Sequence, residues 1–327
     1  MNSLDEIFNR FSELKALIVG DVMIDSYIWG KVERISPEAP VPIISITNKE
    51  IRLGGAANVA KNIVALGATP LLCSVVGNDF DGKSLLELMT SRGMDTQGIV
   101  QSNERMTTVK ERMISNSQQL LRIDRETTKP LNQNDQSILL GKIEHLSKGA
   151  DVIIFEDYDK GVLNKKLIKS IVEIAKQNNI PTAVDPKKRN FLDYKGVTLF
   201  KPNLKEIKEG LKIDFDNRDE IAISEASKSL RGKMEVEKVF ITRSEYGVYI
   251  SSNEHQHFIP AHVRSISDVS GAGDTVISTA SLCLALGLPD SFIAELSNLA
   301  GGLVCEHLGV VSINKDELLQ EAKRHNL

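Results

Sequence analysis

The chain alternates between short apolar runs and segments in which apolar residues recur at helical spacing. Short apolar runs are typical of buried strands, and here they cover residues 16–20, 71–77, 152–155, 182–185 and 239–242. Helical periodicity lies between them, at residues 56–66, 82–91, 133–147, 165–177 and 222–230. This order predicts an α/β fold with a mostly parallel central sheet and helices on both faces.

Polar residues stand directly after several of these predicted strands. They are Asp21, the pair Glu156 and Asp157, Asp185, and the run 242–244. Ligands of open parallel sheets bind beyond the carboxyl ends of the strands. We therefore expect these residues to contribute to one site.

Two segments break the alternation and are predicted to form β-ribbons. They pair residues 27–30 with 41–47, and residues 107–114 with 120–124 across a turn at 115–118. No linker-like or low-complexity stretch divides the chain. We predict a single domain over residues 1–327, with an inserted β lid whose strands lie near 27–47 and 107–124.

Composition narrows the classes of partner. The chain has 327 residues, 44 acidic and 40 basic, and its net charge of −4 favours neither nucleic acid nor an anionic membrane. Its three cysteines lie in apolar surroundings without metal-ligand spacing, which is typical of a reducing compartment. Residues 1–15 lack a signal-peptide core, and no stretch is long enough for a membrane span. We expect a cytoplasmic protein.

The strongest chemical signal is the segment Gly271-Ala272-Gly273-Asp274. A glycine-rich turn that opens a helix presents free backbone N–H groups to an anion such as phosphate. A carboxylate beside bound phosphate is unfavourable unless it has chemistry to perform. Taking a proton from a hydroxyl that attacks a phosphoryl group is such chemistry. The alternative is an aspartate that caps an ordinary helix.

Weaker motifs occur nearer the N-terminus. Gly54 and Gly55 open a predicted helix and let a ligand approach the backbone, and Asn58 offers a donor and an acceptor to a hydroxyl. Close helix packing would also require the glycines. Asp25 follows the first strand and could accept hydrogen bonds from a diol, or it could be a turn residue.

Two further motifs could bind a metal ion or phosphate. Asn203 and Glu206 share one helix face and could hold a hydrated Mg²⁺, or they could form a capping box. Thr242, Ser244 and Gly247 belong to a polar turn at a strand end. That turn suits phosphate, and it could equally be the turn of a hairpin.

In this order along the chain, the motifs resemble the ribokinase-like (PfkB) carbohydrate kinases, from about residue 14 to the end. Within that family the chain is most similar to the D-glycero-β-D-manno-heptose 7-phosphate kinases. The segments that carry the similarity are 20–25, 34–42, 54–59, 116–122, 157–161, 184–187 and 242–245. Three residues depart from the family pattern. Ser26 replaces the usual arginine, Leu53 replaces a proline, and Ser270 replaces the common threonine.

The resemblance implies an ATP-dependent kinase acting on the C1 hydroxyl of the sugar. Asp274 would be the base, and the backbone N–H groups of Gly271, Ala272 and Gly273 would stabilise the transferring phosphoryl group. The nucleotide side would comprise Thr242, Ser244, Gly247, Asn298 and Gly302. Mg²⁺ would be held through water by Asn203 and Glu206, and a monovalent cation such as K⁺ by Asp268 and Ser270. Sugar hydroxyls would bind Asp25, Gly54, Gly55 and Asn58.

A sugar that already carries a phosphate also needs cations. Lys110 and Arg112 share one face of a lid strand, while Lys160, close to Asp157, and Lys187 follow strand ends. Each could instead be a solvated surface cation. A kinase for a free sugar such as ribose or fructose has no use for them.

Other functions stay open at this point. A related kinase for a fructose phosphate, ribose or fructose is one alternative. A sugar- or nucleotide-binding protein without catalysis is another, although the intact Gly-Ala-Gly-Asp argues against it. A dinucleotide-dependent dehydrogenase is disfavoured, because no Gly-x-Gly-x-x-Gly follows the first strand.

The resemblance also carries expectations about the wider context. Some heptose kinases are fused to an adenylyltransferase, and this chain contains no His-x-Gly-His, so we expect the kinase alone. Its product would supply ADP-heptose for the lipopolysaccharide core. Family resemblance further implies a homodimer through the lid strands.

Overall fold

The computed structural model describes residues 3–116, 118–262 and 264–327. Ser117, in the predicted turn at 115–118, and the first two residues of the N-terminal segment lie outside the described residues. The strands are β1 (Lys15–Gly20), β2 (Val22–Ile35), β3 (Pro42–Gly55), β4 (Thr69–Gly77), β5 (Ile99–Ser102), β6 (Val109–Ser115), β7 (Gln118–Arg125), β8 (Val152–Glu156), β9 (Thr182–Asp185), β10 (Leu199–Phe200), β11 (Lys238–Thr242), β12 (Val248–Ser251) and β13 (Gln256–Ile259). The helices are α1 (Leu4–Arg10), α2 (Ala56–Ala65), α3 (Phe80–Thr90), α4 (Gln133–Ser147), α5 (Lys165–Gln177), α6 (Leu204–Leu211), α7 (Glu220–Met234), α8 (Ala272–Ala285), α9 (Asp290–Val304) and α10 (Lys315–Arg324).

The main sheet has the strand order β13-β12-β11-β10-β9-β8-β1-β4-β5. Strands from β5 to β11 pair in parallel, and β12 and β13 add an antiparallel edge. Gly20 pairs with Glu156, and Glu156 pairs with Asp185, so these strands end at one edge of the sheet. The structure confirms the predicted α/β fold with a mostly parallel sheet.

Helices cover both faces of this sheet because its central strands alternate their apolar side chains between two cores. Ala16 and Ile18 of β1 belong to a core shared with α2, α8 and α9. Leu17 and Val19 of the same strand belong to a core shared with α4, α5 and α7. No helix within the three described ranges is long and apolar enough to cross a membrane.

A second sheet, which we call the ribbon sheet, consists of β3, β2, β6 and β7 in that order. The predicted ribbons are present, but the first is longer than expected. β2 begins at Val22, directly after β1, and β3 continues to Gly55 at the start of α2. The buried half of β2 contains the polar residues Asp25 and Ser26, which hid its extent in the sequence.

The sequence prediction also missed two short edge strands. β5 and β13 are only four residues long, and Gln101, Gln256 and His257 interrupt their apolar pattern. Neither strand contributes a residue to the site described below.

Candidate active site

A cavity of about 1260 Å³ opens at the carboxyl edge of the main sheet. Its walls come from the segments that follow β9, β10 and β11 and from the first turns of α6 and α8. The predicted site residues that line it are Lys187, Asn203, Glu206, Thr242, Ser244, Gly247, Gly271, Ala272, Gly273, Asp274, Asn298 and Gly302. Strand-end motifs that lie far apart in the sequence thus meet at one site, as the fold requires.

Asp274 lies in the first turn of α8 and is only 6% exposed. The side-chain amide of Asn58 donates to its Oδ2 at 2.7 Å, and the hydroxyl of Tyr158 donates to its Oδ1 at 2.8 Å. Burial raises the pKa of Asp274 to about 6, although both hydrogen bonds oppose that rise. The carboxyl is therefore mostly ionised at neutral pH and is a stronger base than an exposed aspartate.

The turn before Asp274 forms an open helix N-terminus. Gly271 precedes α8 with a φ of +83°, and no side chain within the described part of the chain caps the helix. A Cβ at Gly273 would lie 3.6 Å from Asp185 Oδ2. The Ala272 amide donates to the Val269 carbonyl at 3.3 Å, whereas the amides of Gly271 and Gly273 have no backbone partner among the described residues and are available to an anion in the cavity.

A chain of buried charges lies beneath this turn. Lys201 Nζ is 2.8 Å from Asp185 Oδ2, and both side chains are almost fully buried. Lys187 Nζ bridges Asp185 Oδ1 at 3.4 Å and Glu206 Oε1 at 2.9 Å. Burial would raise the pKa of Asp185, but the two lysines outweigh it and lower that pKa. Sequence reasoning placed Asp185 at a strand end but gave Lys201 no role.

Glu156 is a further buried carboxyl at this edge that the sequence gave no separate role. The residue is 0% exposed, and neither of its carboxyl oxygens has a hydrogen-bond partner among the described residues. Burial, followed by the charges of Asp185 and Asp274, raises its pKa well above the usual value. The raised pKa favours the neutral form of Glu156, which limits the negative charge beside Asp274.

Asn203 and Glu206 form the reciprocal capping box that was the alternative interpretation. Asn203 Oδ1 accepts from the Glu206 amide at 2.8 Å, and Glu206 Oε2 accepts from the Asn203 amide at 2.9 Å. Both residues nevertheless line the cavity. Mg²⁺ commonly binds through one or two carboxylates, water and substrate phosphates. Glu206 is a carboxylate at the cavity wall, although Oε1 pairs with Lys187 and Oε2 belongs to the cap, and its metal role stays a prediction.

The predicted nucleotide-binding residues include the turn that follows β11, next to Asn203. Thr242 ends β11 and bridges to Asn203, and Ser244 and Gly247 form a tight turn with φ values of +52° and +82°. A Cβ at Gly247 would come within 2.1 Å of the Ile259 carbonyl, so the turn requires glycine there. Asn298 of α9 donates to the Pro260 carbonyl at 2.8 Å.

Gly302, one turn further along α9, faces an arginine that the sequence analysis did not select. A Cβ at Gly302 would lie 3.2 Å from the Arg264 side chain. Arg264 lines the cavity and is fixed by Glu306 at 2.8 Å and Glu321 at 2.7 Å. Its fixed position at the cavity wall could not be predicted, because both carboxylate partners come from segments distant in the sequence.

On the predicted sugar side, Asp25 is buried and pairs with Arg112 at 2.5 Å between β2 and β6. A Cβ at Gly54 would come within 2.2 Å of Asp25 Oδ2, so glycine leaves room for that carboxylate. Gly55 has a φ of +61° and precedes α2, which carries Asn58. Asn58 Oδ1 is buried and has no hydrogen-bond partner among the described residues.

The remaining predicted cations have different surroundings. Lys160 pairs with Glu126 at 2.8 Å, and Lys187 belongs to the charge chain already described. Lys110 Nζ lies 5.7 Å from the centre of the Tyr158 ring and forms no ion pair within the described residues. Burial is the main cause that lowers the pKa of Lys110.

Asp157 and Asp268 are both engaged by neighbouring groups. Asp157 is fully buried and accepts from Asn190 at 2.9 Å and Tyr194 at 2.7 Å. This geometry makes Asp157 a support for its loop, and its contact with substrate stays a prediction. Asp268 accepts from the backbone amides of Ser270 at 2.9 Å and Gly309 at 3.0 Å. The cation site at Asp268 and Ser270 likewise stays a prediction.

Comparison of the sequence with known proteins identifies the family of this chain. Residues 14–317 match the model of the pfkB family carbohydrate kinases. Two curated relatives are both named bifunctional protein HldE. The one from Syntrophotalea carbinolica is 36% identical over 99% of this chain and 66% of its own length. The one from Methylobacillus flagellatus is 40% identical over 97% of this chain and 65% of its own length. The chain thus spans just under two thirds of these relatives.

Solved structures show the same fold at low sequence identity. Phosphofructokinase-2 from Escherichia coli, in complex with potassium, superposes with a TM-score of 0.81 at 17% identity, over 95% of this chain and 98% of that one. Ribokinase from Arabidopsis thaliana, complexed with ribose and ATP, gives a TM-score of 0.74 at 15% identity, over 94% and 99%.

Proposed function

The chain belongs to the pfkB family of carbohydrate kinases, and we propose that it phosphorylates C1 of D-glycero-β-D-manno-heptose 7-phosphate with ATP to give the 1,7-bisphosphate. The observation that best supports a phosphoryl transfer is the position of the Asp274 carboxylate. It is buried at the open N-terminus of α8 and accepts hydrogen bonds from two neutral donors. The similarity to relatives named bifunctional protein HldE, over 97–99% of this chain, supports the heptose phosphate as substrate.

The chemistry follows from the residues around the cavity. Asp274 accepts the proton of the C1 hydroxyl while that oxygen bonds to the γ-phosphorus of ATP and the bond to ADP breaks. Backbone amides at Gly271, Ala272 and Gly273 stabilise the charge on the transferring group. Asn203 and Glu206 would hold Mg²⁺ through water, and the metal neutralises phosphate charge when bound. A monovalent cation at Asp268 and Ser270 would stabilise the same turn.

The nucleotide and the sugar would occupy opposite ends of the site. Thr242, Ser244, Gly247, Asn298 and Gly302 line the ATP end. On the sugar side, Asn58 Oδ1 has no hydrogen-bond partner among the described residues, so it is an acceptor for a sugar hydroxyl. Asp25 and the backbone at Gly54 and Gly55 lie at the start of the same helix.

The 7-phosphate proposal depends on Lys110. Arg112, Lys160 and Lys187 each already have a carboxylate partner, whereas Lys110 forms no ion pair among the described residues. A partly buried ammonium without a counter-ion is stabilised by a ligand anion. Arg112, Lys160, Lys187 and Asp157 stay as proposed secondary contacts.

The test is an ADP-release assay with heptose 7-phosphate, fructose 6-phosphate, fructose and ribose in parallel. Heptose 7-phosphate should give the highest kcat/KM, and preference for a different sugar would refute the proposed substrate. Asp274→Asn should lower kcat by several orders of magnitude, on the order of 10³ or more, because an amide cannot accept the proton. Asp290→Asn is the matched control, since Asp290 is also a buried aspartate in the first turn of a helix.

We also propose that the ribbon sheet is a lid over the sugar and the interface of a homodimer. Its outer part exposes several apolar side chains, namely Ile35, Ile46, Leu120, Leu121 and Ile123. Contiguous exposed apolar residues mark interaction surfaces. Sedimentation should show a dimer that Leu121→Lys weakens, and a monomer at micromolar concentration would refute this. A cytoplasmic location is proposed from the composition, and ADP-heptose supply is proposed from the resemblance to the heptose kinases.

A further inference from the structure

Tyr158 contacts the base, although no sequence motif gave it a role of its own. It lies in the loop after β8, lines the cavity, and donates from its hydroxyl to Asp274 Oδ1 at 2.8 Å. Asn58 donates to the other carboxylate oxygen from α2. The carboxylate is therefore held from two sides, and each oxygen keeps a lone pair for a substrate hydroxyl.

The position of Tyr158 is set by its loop. Asp21, which is 1% exposed, accepts from the backbone amides of Tyr158 at 2.9 Å, Lys160 at 3.1 Å and Val162 at 3.0 Å. Asp157 anchors the same loop from below through Asn190 and Tyr194. These bonds fix the backbone on both sides of Tyr158, so the Cα–Cβ bond that carries the ring has a set position beside Asp274.

The electrostatic surroundings fix which partner is the donor. Burial, followed by the charge of Asp274, raises the pKa of Tyr158 well above its usual value, so the phenol keeps its proton at every working pH. The ammonium groups of Lys110 and Lys187 lie 5.7 and 5.5 Å from the ring centre. The charged or titratable groups that face Asp274 from other elements are Glu156, Asp185, Lys201 and Lys61.

From this geometry we propose that Tyr158 is a positioning residue for the base: its hydroxyl aims the Asp274 carboxylate and favours its ionised form. The proposal rests on the proposed function in taking Asp274 as the base. It adds the residue that fixes how this base is oriented and over which pH range it is active. Because Tyr158 itself touches no reacting atom in this assignment, its effect passes entirely through Asp274.

The direct test is a carboxyl ¹³C NMR titration of Asp274 in the ligand-free protein, with the signal assigned by its loss in Asp274→Asn. A hydrogen bond to the ionised form lowers a carboxyl pKa, so Tyr158→Phe should shift the Asp274 midpoint upward by about one pH unit. Tyr249→Phe is the matched control, because it removes the hydroxyl of another buried tyrosine, which lies on β12 and donates to Gln256 of β13 at 3.2 Å. An unchanged midpoint in Tyr158→Phe would overturn the proposal.

Kinetics separate this proposal from the choice of substrate. In Tyr158→Phe the acid limb of kcat/KM should move to higher pH in step with the NMR midpoint, while KM for ATP stays constant. A uniform loss of activity with an unmoved limb would indicate a merely structural role and would overturn the assignment. If the wild type does not phosphorylate heptose 7-phosphate, the proposed function fails, and the NMR titration still decides the role of Tyr158.

A second substitution covers the case in which Tyr158→Phe does not fold. Incorporating 3-fluorotyrosine at position 158 preserves the shape of the ring and makes the phenol a stronger hydrogen-bond donor. The Asp274 midpoint should then move downward. A midpoint that stays in place or rises would contradict the proposal as firmly as the phenylalanine result would.

Discussion

Replacing Lys201 with methionine removes a cation from the buried charge chain beneath the anion-binding turn. The Lys201 side chain is 4% exposed, and its Nζ lies 2.8 Å from Asp185 Oδ2. Asp185 would keep only Lys187, which is 3.4 Å away and 31% exposed. Methionine fills a similar volume, so the change removes the charge and leaves the packing nearly intact.

The expected cost comes from the unpaired carboxylate. Removing one partner of a buried ion pair costs about 3–5 kcal/mol. Because Lys187 still pairs with Asp185, we expect the free energy of unfolding to fall by an amount near the lower end, about 3 kcal/mol. The folded-state pKa of Asp185 is lowered, so its ion pairs stabilise the protein above the unfolded pKa. That stabilisation disappears as the pH falls through the folded-state pKa, and the deficit of Lys201→Met should shrink with it.

Urea unfolding of both proteins at about pH 7 and at about pH 3, below the ordinary pKa of an aspartate, measures this difference. Lys323→Met is the control, because Lys323 pairs with Asp5 at 2.7 Å, both side chains are largely exposed, and neither lines the cavity. The control should lose only about 1 kcal/mol. A loss below about 1 kcal/mol for Lys201→Met at neutral pH, or an equal loss at both pH values, would refute the reasoning.

Two other substitutions address the sugar side. Lys110→Ala should raise KM for the phosphorylated sugar and leave KM for ATP nearly unchanged, because Lys110 is the one of the four predicted phosphate cations that has no ion pair among the described residues; an unchanged sugar KM would locate the phosphate elsewhere. Gly54→Ala would bring a Cβ within 2.2 Å of Asp25 Oδ2, so we expect a raised sugar KM and a stability loss of about 1–3 kcal/mol. Gly141→Ala in α4 meets no atom within 4 Å and should instead stabilise the protein by about 0.5–1 kcal/mol.

The features that local sequence patterns could predict are those that one segment determines by itself. Apolar runs predicted the central strands, and the residues directly after them predicted the edge where Asp185 and Thr242 lie. The Gly-Ala-Gly turn predicted the open start of α8, which the structure shows with Gly271 at a positive φ. In each case the sequence pattern lies within a few residues of the strand or helix end that it predicts.

What the sequence could not predict depends on contacts between distant segments. Tyr158 meets Asp274 across 116 positions, and Asn58 meets it across 216. Lys201 follows a strand of only two residues, and an isolated lysine there is typical of a solvated cation. Its burial depends on Asp185 from a neighbouring strand, which no local pattern specifies.

The base and the cations have separate roles at this site, and this explains how a carboxylate can work beside phosphate. An adjacent lysine or arginine would lower the pKa of Asp274 by about one to three units and make it a weaker base. Its direct partners, Asn58 and Tyr158, are instead neutral donors, which orient the carboxylate while its pKa stays at about 6. Lys201 and Lys187 lie one layer away on Asp185, where they offset negative charge without pairing with the base. Loss of Tyr158 should therefore change the pH range of catalysis, whereas loss of Lys201 should chiefly change stability.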